Sequence, residues 1–167
     1  EAYRRQIEHF VEIKVKGSNL IEAIYARYMP VPFLSVITND CILKGMDYNA
    51  GGARYNTSYL QGVGIGTVTD SLAAIQANVF DKQDFSMDEL LDALHNNFEN
   101  YPQIYNTVKN RSPKYGNDDD TADDIMQAVF EAYRSIVTGR PNTRGGDFRI
   151  NMLPTTCHVY FGEVMQA

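Results

Sequence analysis

Five glycines fall within sixteen residues, Gly51, Gly52, Gly62, Gly64 and Gly66, and the last three form Gly62-Val63-Gly64-Ile65-Gly66 just ahead of helical sequence. A Cβ-free turn leading into a helix can cradle a phosphate, because free N–H groups and the helix dipole both favour an anion. A dinucleotide fingerprint also needs a buried strand immediately before the glycines. Asn56-Thr57-Ser58-Tyr59-Leu60-Gln61 reads as too polar and too short for one. The Lys-Ser/Thr pair of a P-loop is absent as well. Close backbone packing is therefore the leading expectation for these glycines, and nucleotide binding a distant third among the functional readings.

Other reactive side chains do not converge in the sequence. Cys41 and Cys157 have no CxxC partner, and no GxSxG elbow occurs. His9, His95 and His158 lack metal-ligand spacing; the first two fall on helices and are expected at the surface. Asp118, Asp119, Asp120, Asp123 and Asp124 lack the glycine and glutamate that shape a calcium loop, and helix capping accounts for them. The run Leu153-Pro154-Thr155-Thr156-Cys157-His158-Val159-Tyr160-Phe161 brings two adjacent hydroxyls into an apolar, aromatic strand after a glycine loop. They could line a pocket, or Thr could stand there as a good strand residue; periodicity alone favours the second reading. The residues by themselves name no catalytic centre.

The elements that would carry these groups are mostly helical. Residues 2–28 form a helix with Ile7, Phe10 and Val11 on one stripe and Leu20, Ile21, Ile24 and Tyr28 on another, broken at Gly17-Ser18-Asn19 and ended by Pro30. Phe33–Ile42 suits either a buried helix turn or a strand. A helix is expected from Thr69 or Asp70 to Phe80, and Ser86-Met87-Asp88-Glu89 is a capping box opening another to about Asn97. Further helices follow over 101–110 and from Thr121 to Gly139, the last carrying Ile125, Val129, Tyr133, Ile136 and Val137. Residues 139–147 read as a loop and His158–Phe161 as a strand, beginning as early as Leu153. So few strands cannot close a sheet, which points to part of an α/β whole.

Composition sets the outer bounds. Apolar residues make up 44% and charged residues 22%, a globular balance. The net charge of −6 offers no basic surface for nucleic acid or anionic membrane, and no apolar run reaches the length of a membrane span. Two cysteines fit a reducing cytoplasm. The chain opens on helical sequence without an initiator Met or signal peptide, and both ends read as cut.

Four separated motifs occur in one order: PFLS with DC-I and KG-D (Pro32–Asp47), GGARYN with QGVGIGTVTDSLAAI (Gly51–Ile75), YGNDDD-ADDI (Tyr115–Ile125) and FRINMLPTTCHVYFGEVM (Phe148–Met165). In that order they resemble the pyruvate formate-lyase domain of glycyl radical enzymes, over nearly the whole chain. The resemblance implies an α/β fold, with this chain a helix-rich segment of a ten-stranded β/α barrel that forms a single domain. It also implies cytoplasmic enzymes of anaerobes, in which a glycyl radical oxidises a cysteine and the resulting thiyl radical takes hydrogen from a small-molecule substrate. A radical-SAM activating enzyme installs the radical, and a homodimer is common in the family.

Within the family, the tail and the glycine run look most like members that dehydrate trans-4-hydroxy-L-proline to pyrroline-5-carboxylate. Glycerol or propanediol dehydratases, choline trimethylamine-lyase and formate acetyltransferase share the scaffold and stand as alternatives. The Gly-Cys-x-Glu and Arg-Val-x-Gly-Tyr motifs of the radical machinery are missing, so Cys41 is not the thiyl residue and the segment itself is expected to bind no cofactor. The resemblance brings the strand at 153–155 near the substrate; alternation then turns Leu153 and Thr155 to the pocket. The rival of another class is a non-catalytic helical interaction module.

Overall fold

The computed structural model describes residues 1–153 together with Tyr160 and Val164. Its order is α1 (Ala2–Tyr28), α2 (Pro32–Ile37), α3 (Cys41–Lys44), β1 (Ser58–Gln61), α4 (Ile65–Ile75), α5 (Met87–His95), α6 (Pro102–Asn106), α7 (Asp120–Val137) and β2 (Phe148–Asn151). A 3-10 turn covers Tyr48–Ala50, and π-helical turns continue α4 over Gln76–Asp81 and α6 over Thr107–Arg111. Two compact units result. One holds Glu1–Gln61 and Ala132–Asn151, and the other holds Gly62–Glu131 and resumes at Met152.

In the first unit, α1 runs unbroken for 27 residues. The expected break at Gly17-Ser18-Asn19 does not form, since one helical glycine costs only about 1 kcal/mol relative to alanine. Val11 and Val15 of α1 meet Ile136 and Val137 of α7 and Leu60 and Phe148 of the strands in one core, flanked by Ile7, Tyr133 and Ile150. The second apolar stripe, Leu20, Ile21, Ile24 and Tyr28, stays exposed, as does Phe10. Pro32 at the first turn starts α2, so the ambiguous 33–42 stretch is helical, split by Asp40 at a positive φ of 75°. Asp47 ties this region together. Its carboxylate accepts the Val31 N–H at 2.9 Å, the Ser35 hydroxyl at 2.7 Å and the Asn49 N–H at 2.9 Å.

Strands β1 and β2 pair in parallel, with Ser58 beside Phe148, Tyr59 beside Arg149, Leu60 beside Ile150 and Gln61 beside Asn151. Ser58, Leu60 and Phe148 are buried, whereas Tyr59, Gln61 and Arg149 are exposed. The polarity that argued against a strand at 56–61 is thus the alternation of a strand buried on one face only. The strand expected from Leu153 is displaced too. β2 ends at Asn151 and Leu153 follows it outside any strand; of His158–Phe161 only Tyr160 is described, and it is helical.

In the second unit, α4 begins at Ile65, ahead of the expected Thr69 or Asp70, because Gly64 turns the chain with φ 85°. The capping box at Ser86 and Glu89 is present and opens α5, whose Leu90 and Ala93 are buried. Asn78, 1% exposed, donates to the Ala74 carbonyl at 2.7 Å and to the Ser112 hydroxyl at 2.8 Å, linking the two π-helical turns. Among the described residues no helix is long and apolar enough to cross a membrane.

Candidate functional site

A polar network fixes the amino-terminal end of the strand pair. The Asn142 side-chain carbonyl accepts the N–H groups of Arg144 (3.0 Å) and Gly146 (2.8 Å), while its amide donates to the Ser58 hydroxyl (2.8 Å) and the Asn56 carbonyl. Ser58 in turn donates to Glu22 of α1. The Arg144 guanidinium donates to Thr57 O (3.3 Å) and lies 3.5 Å from the Glu22 carboxylate, both side chains mostly buried. Two glycine sites make room for this. Gly51 has φ 92° and a Cβ there would stand 2.5 Å from the Arg144 carbonyl; a Cβ on Gly146 would collide with the Asn56 carbonyl. Close backbone approach is therefore real at Gly51, Gly52 and Gly146, and a Cβ on Gly64 would meet nothing. Gly64 turns the chain instead of packing it, and Gly66 sits within α4, where a Cβ would make only ordinary contact with the Tyr115 ring.

At the carboxyl end, Gln61 and Asn151 stand side by side. Carboxyl ends of parallel strands are where β/α folds hold their ligands. Beyond this end, Leu153 is 63% exposed. Thr155, the other residue expected at the pocket, lies outside the described residues, as does Cys157.

The remaining reactive groups are accounted for structurally. Cys41 is a free thiol, 2% exposed at the start of α3. Its neighbour Asp40 accepts two bonds from the Arg54 guanidinium, at 2.8 and 3.1 Å, and that pairing holds the carboxyl below its usual range. His9 and His95 are exposed on α1 and α5, as expected. In the second unit a cleft of about 430 Å³ has an apolar wall of Ala74, Leu90, Leu94 and Phe98 and a polar edge where Lys114 lies 3.7 Å from Asp70. Among the described residues no three His, Cys, Asp or Glu side chains are grouped to hold a metal.

Residues 1–162 match the family described as pyruvate formate lyase-like. The chain belongs to that family. It is 60% identical over all 167 residues to trans-4-hydroxy-L-proline dehydratase of Clostridioides difficile, spanning 21% of that protein. It is 35% identical, over 95% of its length, to (2S)-3-sulfopropanediol dehydratase of Klebsiella oxytoca, spanning 19%. The crystal structure of hydroxyproline dehydratase from C. difficile with trans-4-hydroxy-L-proline bound superposes with a TM-score of 0.94, covering 98% of this chain and 21% of that one. The glycerol-bound B12-independent glycerol dehydratase from Clostridium butyricum, 38% identical, gives 0.92 over 99% of this chain and 21% of that one. The chain thus spans about a fifth of the length of these relatives. In this pyruvate formate lyase-like chain the helices and the parallel pair are a segment of a glycyl radical enzyme barrel.

The family's motifs point to the residues after β2, whereas nothing in them points to the sheet face formed by Tyr59, Gln61, Arg149 and Asn151. The signal was there. SYLQ and FRIN both alternate, but each is only four residues long and lies beside glycine-rich sequence that reads as loop.

Proposed function

We propose that the full-length protein is a glycyl radical dehydratase that removes water from trans-4-hydroxy-L-proline, giving pyrroline-5-carboxylate. The observation that carries this reading is the 60% identity to trans-4-hydroxy-L-proline dehydratase across every residue of the chain, against 35% to the sulfopropanediol enzyme. The reaction is redox-neutral overall: a thiyl radical takes one substrate hydrogen, water departs, and hydrogen is returned to the product. The glycine and cysteine that carry the radical belong to parts of the polypeptide outside these 167 residues, whose motifs contain neither. A radical-SAM activating enzyme is the required partner, a cytoplasmic anaerobic setting suits the chemistry, and a homodimer is the expected assembly. The 167 residues form part of one barrel domain.

In this reading Thr155 hydrogen-bonds a polar group of the substrate and Leu153 packs against its carbon skeleton. The test is anaerobic turnover of trans-4-hydroxy-L-proline by the activated full-length enzyme, with pyrroline-5-carboxylate as the measured product. Thr155→Val should raise KM about tenfold, the worth of one hydrogen bond to a charged or polar ligand group, with the glycyl radical signal unchanged. Unaltered kinetics in that variant would remove Thr155 from the site, and a wild-type enzyme inert toward hydroxyproline would remove the substrate assignment.

A further inference from the structure

The cleft in the second unit takes no part in the dehydratase reading. At about 430 Å³ it falls within the size range of small-molecule sites, which are mostly apolar with a few placed polar groups. Its lining comes from α4, α5, Phe98, the π-helical turn after α6 and Lys114, and no described residue of the strand pair enters it. Hydrogen bonds across these elements hold its shape in advance of any ligand. Asn78 donates to Ser112, Ser112 donates to the Thr107 carbonyl at 2.9 Å, and Lys114 donates to the Val108 carbonyl at 3.0 Å. A preformed site loses less on binding than one that must be ordered.

Two features of the backbone point to a site and not to a packing gap. Phe98, one of the lining residues, has a φ of 59°, and its neighbours Asn97 and Asn100 are also left-handed, at 50° and 70°. A bulky residue seldom adopts that conformation, and such strain gathers where a side chain must be held for a purpose. Val108 and Lys109 lie on a π-helical turn, a rare form that recurs at functional sites.

The charges in the lining select the ligand. They are two lysines, Lys109 and Lys114, against one carboxylate, Asp70. Asp70 is engaged, accepting the Tyr115 N–H at 2.8 Å with the Lys114 ammonium 3.7 Å away. Lys109 instead donates to the Tyr105 hydroxyl and lies 4.8 Å from the centre of that ring, so its partner is a neutral phenol. One positive charge is left at the edge of an apolar hollow formed by Leu90, Leu94 and Phe98.

We propose that this cleft binds a small organic monoanion with an apolar body, of the class of arylalkyl and medium-chain carboxylates. The hydrocarbon lies against Leu90, Leu94 and Phe98, and the carboxylate accepts from the Lys109 ammonium. The site stands apart from the hydroxyproline assignment and does not depend on it.

The experiment titrates the full-length enzyme with 4-phenylbutyrate by calorimetry, with 4-phenylbutan-1-ol as the uncharged probe of the same tail. The acid should bind saturably, one molecule per chain, and raise the melting temperature. The alcohol should bind about tenfold more weakly, for want of a charge-assisted hydrogen bond. Lys109→Met should bring the acid down to the affinity of the alcohol and leave the alcohol unchanged, whereas Lys109→Arg should keep the preference for the acid. Ser71 is exposed on α4 and lines the cleft, so Ser71→Trp should fill it and abolish binding of both probes. Absence of saturable binding to the full-length enzyme overturns the proposal, and then polypeptide beyond these residues covers the cleft. Equal affinity for acid and alcohol overturns it as well, as does binding that survives Ser71→Trp, which lies elsewhere on the molecule.

Discussion

At the scale of single residues, Asp47 shows how a short side chain can organise a turn. Partial burial works to raise its carboxyl pKa, but the Ser35 hydroxyl and the N–H groups of Asn49 and Val31 donate to the charged form and win, leaving the group below its ordinary 3.8. A folded value below the unfolded one means the unfolded chain binds more protons across that window. The stabilisation is therefore complete above about pH 4 and is lost as pH falls through the folded value. Asp47→Asn in the full-length enzyme should flatten the stability-against-pH curve below about pH 4, and Asp47→Ala should cost about 1–3 kcal/mol near neutrality, both measurable by denaturant unfolding at a series of pH values. The Asn49 contact is local, two residues on, but the Ser35 and Val31 partners lie 12 and 16 residues away and were not legible in the sequence. The surface places of His9 and His95 were legible, since helical spacing alone sets them. Which glycines are obligatory was not, because the clashing carbonyls of Arg144 and Asn56 come from distant chain.

Local rules served best for whole elements when the signal was contained in the element. The Ser86 hydroxyl accepts the Glu89 N–H at 3.2 Å and the Glu89 carboxylate accepts the Ser86 N–H at 2.8 Å, the reciprocal pattern that S-x-x-E announces. Ser86→Ala should destabilise α5 by about 1 kcal/mol, seen as faster amide hydrogen exchange confined to Met87–His95; unchanged exchange there would mean the cap is redundant. The strands were harder to read for the opposite reason. Each is four residues long, and neither SYLQ nor FRIN is self-evident without its partner. A parallel partner is remote by necessity, so a pair of short parallel strands leaves almost no local trace.

On the scale of the whole molecule, the helices of the first unit carry many exposed large apolar side chains. Leu20, Ile21, Ile24 and Tyr28 on α1, Phe33, Val36 and Ile37 on α2, and Ile42 and Leu43 (87% exposed) at α3 are all open. Scattered exposed leucines are ordinary, but contiguous apolar helix faces mark interaction or aggregation surfaces. Expressed alone, residues 1–167 should aggregate or bind hydrophobic dyes in light scattering and fluorescence, and the full-length protein should not. A monodisperse, cooperatively folding segment would instead favour the self-standing helical module. The family was legible because four motifs survive in order along the chain, whereas the barrel wall becomes visible only once β1 and β2 are seen paired. That pairing has a price in time. Ser58 and its partner Phe148 are separated by 90 positions (148 − 58), and ribosomes add roughly 5–20 residues per second. For roughly 5–20 s of synthesis the finished β1 edge has no partner to close on, a bare template for wrong pairing. A pairing this remote in sequence adds to the contact order, which slows refolding in the tube.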